Sequence, residues 1–414
     1  MNRIVLIGNG FDLAHGLKTS YKDFINWYWD QRLHSIILEH QAVSADELCS
    51  MKIYPTSGFE DWYLFSYNNS FFKDLLKNEW TISGREFIEN LKGKPDTFNI
   101  TYSPLFKNIC KNIETKGWVD IENEYYDLLI QCALEGKTKT TVESLNKQLC
   151  TLQEKLIVYL SMVNETEVKP IDKIKKAIYS PFIDTDISIE GQKELIEHIK
   201  EGLKQNEQEW EYKINQYGHK FVAHYITNFK KKIEEGGTIV GKETPFELLL
   251  PNQIMLLNFN YTKTADLYCI HQPIFTINQI HGKLEEPKSI IFGYGDEIDE
   301  KYKELERKRD NKCLSNIKSI KYLEADNYRK MLSFIEAEPY QIFIMGHSCG
   351  NSDRTLLNTL FEHRNCVSIK PYFYVKKDGT DNYLDIIQNI SRNFTDMKLM
   401  RDRVVNKTYC EPLS

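Results

Sequence analysis

The chain has 414 residues, of which 41% are hydrophobic, 27% charged and 12% aromatic; this is the composition of a folded globular protein with room for roughly two or three domain-sized units, and it excludes a disordered or fibrous chain. Lys plus Arg is 53 against 59 Asp plus Glu, a net charge of −6, which excludes a protein that coats nucleic acid by charge alone. No run approaches the ~18–20 apolar residues of a membrane helix, and nine cysteines without a C-x-x-C pair exclude a zinc ribbon and read as the reduced thiols of a cytoplasmic protein.

Residues 3–7 (RIVLI) form a β-branched run that ends at Gly8, the pattern of a buried parallel strand and not of a signal peptide, whose apolar core would be longer. Gly8, Asn9 and Gly10 turn into Phe11, Asp12 and Gly16, and a helical pattern begins at Tyr21. Strand, glycine turn and helix make the first half of an α/β nucleotide fold. From 25 to 245 strand-like runs are scarce. Val142, Leu145, Leu149, Leu152, Leu156 and Tyr159 fall on one helix face, as do Leu195, Ile199, Leu203, Trp210, Ile214, Tyr217 and Phe221. Pro170, Pro181 and Gly191 interrupt these helices, and the basic run Lys230, Lys231 and Lys232 reads as a solvated helix end. This segment is expected to be a helical insertion that covers the site. Strands return at Gln253–Asn258, Ile274–Ile280, Ser289–Phe292, Gln341–Met345 and Tyr372–Val375. The first four end in Gly, Asn, His or Ser, and in an open α/β sheet ligands lie just beyond the carboxyl ends of the strands. The expected organisation is an α/β domain of residues 1–24 and 246–414 interrupted by the insertion at 25–245.

Two motifs imitate other chemistries. Gly136-Lys137-Thr138 resembles the end of a P-loop, but position 131 is Gln and the preceding residues, Tyr125 to Leu134, look helical, so the strand–loop–helix that gathers backbone N–H groups on phosphate is missing. Gly346-His347-Ser348-Cys349-Gly350 matches the G-x-S-x-G elbow of serine hydrolases, but the last histidine, His363, lies only fifteen residues beyond Ser348 on the following helix and cannot reach its Oγ. The same glycines let a backbone approach a ligand closely. Gly8-Asn9-Gly10-Phe11-Asp12-Leu13 begins like G-x-G-x-x-G without the third glycine. Asp12 suits either a ribose hydroxyl or a cap on the following turn.

In order, these motifs resemble the sirtuin-type NAD-binding fold. Gly8–Asp12 followed by Gly16–Tyr21 is similar to its opening loop, and Phe259-Asn260-Tyr261-Thr262 to its T-x-N-x-D motif. His281-Gly282 is similar to its catalytic H-G, Ser289–Glu297 to the strand and glycine segment after it, and Phe343–Ser348 with Asp353 to its late G-x-S motif near the ribose. Position 12 is Asp where that motif often has Ser, and position 262 is Thr where it often has Asp. Only Cys313 lies between His281 and Gln341, so the resemblance carries neither the zinc module nor the peptide-docking module of protein deacylases. Closer still, Ile4–Phe24, Trp118-Val119-Asp120-Ile121-Glu122 and Gly346–Asp353 resemble the bacteriophage abortive infection AbiH family. The resemblance implies a Rossmann-like, sirtuin-type parallel sheet flanked by helices, a large α-helical insertion, and a role in phage defence.

It also implies a nucleotide pocket formed by Gly8, Asn9, Gly10, Phe11, Asp12, Gly16, Gly346, His347, Ser348 and Asp353, with NAD as substrate or ligand and no metal. Hydrolysis of NAD at the nicotinamide–ribose bond needs an amide that holds water or ribose hydroxyls and a base near the ribose with a pKa close to operating pH. Asn260 suits the first role, with Asn258 two residues before it as the other candidate, and His281 suits the second. The alternative is a nucleotide sensor that does not cleave and acts through the helical region. A metal nuclease would need clustered carboxylates, and Asp120 and Glu122, two apart on a helix, do not face one ligand. The amphipathic helices suit self-association and an intramolecular core equally; a phage-derived trigger is expected, and neither a membrane nor a nucleic-acid partner is.

Overall fold

Residues 2–7 are buried along their whole length, and β1 (Asn2–Ile7) is the middle strand of a five-stranded sheet. Its order is β6-β5-β1-β7-β8, with β5 at Ile254–Asn258, β6 at Phe275–Gln279, β7 at Tyr340–Met345 and β8 at Cys366–Tyr372. All four pairings are parallel, and Ile7 lies level with Asn258 and Met345, as Asn258 does with Gln279. The ends of β1, β5, β6 and β7 therefore open onto one edge. The computed structural model describes residues 1–37, 43–54, 83–92, 98–117, 119–217, 231, 244, 246–269 and 275–414. Trp118, Phe221, Lys230, Lys232, position 274 and the side chains of Trp210, Ile214 and Tyr217 lie outside the described residues. Among the described residues no helix is long and apolar enough to cross a membrane.

The chain forms two compact units, one of Met1–Gly16, Val168–Lys283 and Tyr322–Ser414, the other of Leu17–Glu167 and Leu284–Lys321. The sheet belongs to the first. These limits differ from 25 and 245 because two helices from the middle of the chain complete the sheet unit's cores. Helix Asp172–Ile178 places Ile174 and Ile178 against Val5, Ile7, Leu256 and Phe343, and helix Gln192–Tyr217 places Leu195, Ile199 and Leu203 beside Phe182 and Val367. Arg3 is completely buried within β1. Its guanidinium donates to Gln341 Oε1 at 3.0 Å and to the carbonyls of Ile178 and Ser180 at 2.9 and 2.6 Å, and lies 4.3 Å from the Phe343 ring centre. Burial lowers its pKa to about 10, and the carbonyls supply the partners a buried cation needs.

Two expected strands change. The last runs Cys366–Tyr372, earlier than 372–375; Ser368 and Lys370 disguise it, yet both are buried, Lys370 because its Nζ meets Asp186 at 2.8 Å. Pro371 is tolerated because β8 is an edge strand. Residues 289–292 form no strand: Ile290, Ile291 and Phe292 are buried as irregular chain after the short turn Pro287–Ser289.

The second unit carries helices and a small antiparallel sheet, β2 (Val43–Ala45), β3 (Cys49–Ile53) and β4 (Phe98–Tyr102). These strands have three to five residues with Ser, Lys, Asn and Thr on the open face, too short and polar to stand out in sequence. Helix Val142–Asn164 buries Leu145, Leu149, Leu152, Leu156 and Tyr159, as its spacing requires, while Val142 in its first turn is half-buried. The stretch before Gly136 is helical, Ile121–Ile130 widening into Gln131–Glu135, with Gly136 as a left-handed cap. Within this unit the Nζ of Lys318, 1% exposed, meets Glu122 Oε2 at 2.8 Å, and Glu122 Oε1 accepts the Gly293 N–H at 3.0 Å. Removing one partner of a buried pair leaves an unpaired charge. Lys318→Met is expected to lower the unfolding free energy by about 3–5 kcal/mol in urea titrations, and Lys318→Met combined with Glu122→Gln to recover most of that loss.

Candidate functional site

The site begins where β1 stops. Gly8 leaves the strand and the six-residue helix Asn9–Ala14 follows at once. Gly10 N–H donates to the Gly346 carbonyl at 2.8 Å and Gly8 N–H to the Met345 carbonyl at 3.3 Å. A Cβ on Gly8 would fall 2.5 Å from His347 Cα, and one on Gly346, at φ +77°, would fall 2.1 Å from Phe11 N. The two glycine turns touch backbone to backbone, so their glycines are required by each other. Asn9 and Gly16 are exposed, whereas Phe11 is fully buried between His15 and Tyr268.

The β5 end joins the same contact. Asn258, 1% exposed, donates through Nδ2 to Gln279 Oε1 at 2.9 Å and accepts Asn260 N–H on Oδ1 at 3.0 Å. Asn260, half-buried, donates through Nδ2 to the Gly8 carbonyl at 3.0 Å. Asn258 thus builds the turn, and Asn260 ties it to the end of β1. The Asp12 carboxylate, 1% exposed, accepts the Thr262 hydroxyl at 2.6 Å. Burial raises its pKa above the usual carboxylate range, against the hydrogen bonds of Thr262, Thr264 and Asn260. Positions 12 and 262, both unusual for the sirtuin-type motifs, are therefore partners in one hydrogen bond, acid on the first turn and hydroxyl on the second.

Beyond β6 and β7 two histidines meet one carboxylate. His281 Nε2 lies 3.2 Å from Asp353 Oδ1 and 3.1 Å from the Tyr322 hydroxyl, and His347 Nε2 lies 3.6 Å from Asp353 Oδ2. His281, His347 and Asp353 are 4, 6 and 7% exposed. The Phe259 ring lies edge-on to His281 at 5.2 Å and tilted against His347 at 4.1 Å. His347 Nδ1 accepts the Cys349 N–H at 3.0 Å, so the neutral ring carries its proton on Nε2, facing Asp353. Asp353 begins helix Arg354–Glu362 yet makes no capping hydrogen bond from its side chain. The model for bacteriophage abortive infection AbiH proteins matches residues 4–374. This chain belongs to the AbiH family. No curated protein and no solved structure matches it.

Family membership gives the AbiH chain a role in abortive infection by phage. Its V-D-x-E stretch is structural here: Asp120 caps a helix by accepting Asn123 N–H at 3.0 Å, and Glu122 pairs with Lys318. In the AbiH G-x-S-x-G turn Cys349, at φ 55°, has left-handed backbone as Gly346 does, and burial pushes its thiol pKa far up. Ser348 is exposed, and His363 lies at the opposite end of the following helix, 3.2 Å from Glu336. Of the residues read from sequence, Gly8 and Gly10 meet Gly346, Asn260 meets Gly8, and His281, His347 and Asp353 form an adjoining cluster. Phe259 is read only as part of the Phe259–Thr262 motif, without its place between the histidines, and Tyr322 stands forty-one residues from His281 with no motif around it.

Gly346→Ala is expected to cost about 3 kcal/mol or more, since it adds strain at positive φ to a backbone clash, whereas Gly16→Ala, at φ +81° with nothing within 4 Å of its Cβ, is expected to cost about 1 kcal/mol; thermal unfolding of the two variants reads the contrast. Asp12 loses its proton first in the unfolded chain because folding raises its pKa. Its penalty is therefore absent below the unfolded value, grows as pH rises above it and is complete above the folded value. Asp12→Asn removes this slope. From about pH 4 upward the urea midpoint of the parent is expected to fall relative to that of the variant, and parallel curves would contradict the assignment.

Proposed function

We propose that this AbiH protein is an abortive-infection effector that binds NAD beyond the carboxyl ends of β1, β5, β6 and β7 and hydrolyses its nicotinamide–ribose bond. Counted in chain order the sheet's strands run 3-2-1-4-5, the order of doubly wound dinucleotide-binding sheets, and ligands there lie where the order reverses, beside β1. This supports the Rossmann-like, sirtuin-type reading. The observation that carries the chemistry is the placement of Asn260 and of His281, backed by Asp353 at 3.2 Å, at the ends of neighbouring strands.

Nicotinamide leaves readily because its ring carries positive charge in the substrate. Water forms a bond to the ribose anomeric carbon, the carbon–nitrogen bond breaks, and its electron pair neutralises the ring. His281 takes the proton released by water. Asn260, whose Nδ2 is held by the Gly8 carbonyl, presents its Oδ1 to water or a ribose hydroxyl. Gly10, Asn9 and the Gly346 turn, with His347 and Ser348, would border the diphosphate. Toxicity in an unchallenged cell calls for restraint, so assembly with further copies or a phage product is proposed to complete the pocket.

One observation favours the second reading, a sensor that binds a nucleotide and does not cleave it: the Asn260 amide nitrogen and the Asp12 carboxylate are already engaged within the protein. The test is to incubate the protein with NAD, with and without phage lysate, and to follow nicotinamide. The hydrolase reading expects release that falls by at least about 10²-fold in Asn260→Ala and in His281→Ala. Tight nucleotide binding with NAD intact after long incubation would establish the sensor instead.

A further inference from the structure

We propose that Asp353 is a positioning residue for the reaction at His281: its single buried carboxylate receives the Nε2–H of His281 and so fixes Nδ1 as the nitrogen that takes the proton. The proposal rests on the hydrolase reading for its reaction, but the geometry stands apart from it. A neutral imidazole has one donor and one acceptor nitrogen, and the partner of one settles the role of the other. Asp353 stands where a helix-capping Asp is favoured, yet its side chain makes no cap. Both carboxylate oxygens instead face histidine Nε2 atoms, at 3.2 Å for His281 and 3.6 Å for His347.

The second histidine explains how the carboxylate keeps its orientation. Within the turn Cys349 donates its N–H back to His347 Nδ1 at 3.0 Å. His347 is thereby committed to the Nε2–H form, pointing at the other oxygen of Asp353. The turn is itself held from helix Tyr383–Arg392 and the residue that ends it. Asn389 Nδ2 donates to the Ser348 carbonyl and Asn393 Nδ2 to the Cys349 carbonyl, each at 2.8 Å. The chain of contacts thus runs from Asn393 through Cys349 and His347 to Asp353 and ends on His281, where the Tyr322 hydroxyl, 3.1 Å from the same nitrogen, limits rotation of the ring.

The decisive measurement is the nitrogen-15 NMR spectrum of histidine-labelled protein above the histidine titration range, with the His281 signals assigned by their loss in His281→Gln. The proposal expects a protonated Nε2 and an unprotonated Nδ1 in the parent; a protonated Nδ1 overturns it, and this readout needs no variant of Asp353 to fold. In turnover, Asp353→Asn is expected to lower kcat for nicotinamide release by up to about 10⁴-fold with KM little changed, the size of effect seen when a histidine loses the carboxylate that sets its tautomer, while Asp353→Glu retains more activity than Asp353→Asn. An unchanged kcat in Asp353→Asn overturns the proposal. If the parent releases no nicotinamide at all, the hydrolase reading fails, and the tautomer alone decides what Asp353 does.

Discussion

Gly10 donates its N–H to the Gly346 carbonyl at 2.8 Å, and neither that turn nor the one opposite has room for a side chain where they meet. This contact joins strands whose residues are more than three hundred positions apart, and the rest of the site is arranged by it. Gly8 offers its carbonyl to Asn260, which brings in the end of β5. Gly346 leads directly into His347, and Phe259, next to Asn260, fills the space between the two histidines. With the turns fixed against each other, the side chains nearby have few positions open to them.

Three of the buried carboxylates have partners of different kinds. Asp12 has the Thr262 hydroxyl, Asp353 has two histidines, and Glu122 has Lys318 and a backbone N–H. A carboxylate out of water is tolerated only with such partners. The three differ in what the partner can do. A hydroxyl and an ammonium hold the carboxylate in place, whereas an imidazole can also exchange a proton in the physiological range. That difference separates the surroundings of Asp353 from those of the other two.

The sheet was largely legible because parallel strands buried on both sides are continuous apolar runs, and residues 3–7, 253–258 and 341–345 are such runs. The edge strand was not, since Ser368 and Lys370 are polar residues whose burial depends on partners distant in sequence. The small antiparallel sheet was hidden by its shortness. Ile174, Ile178, Leu195 and Ile199 show helical spacing but not which surface they cover, and in the structure they pack in the sheet unit's cores. At the site, sequence found the strand ends and hence most of the residues gathered there. It could not assign their partners: Asp353 read as a ligand-binding residue and stands against two histidines, and Asp12 and Thr262 read as separate departures from a motif and are one hydrogen bond.

The central strand precedes both of its neighbours in the chain by a long way. β1 pairs with β5 and β7, whose partner residues begin at 254 and 340, so neither neighbour exists until most of the chain has been synthesised. Contacts so far apart in sequence form slowly, and an unpaired apolar strand invites aggregation meanwhile. A nascent or truncated chain that lacks Gly346 and His347 also lacks the turn against which Gly8 and Gly10 pack. Because Gly346 follows β7, the two glycine turns cannot meet before that strand has been made.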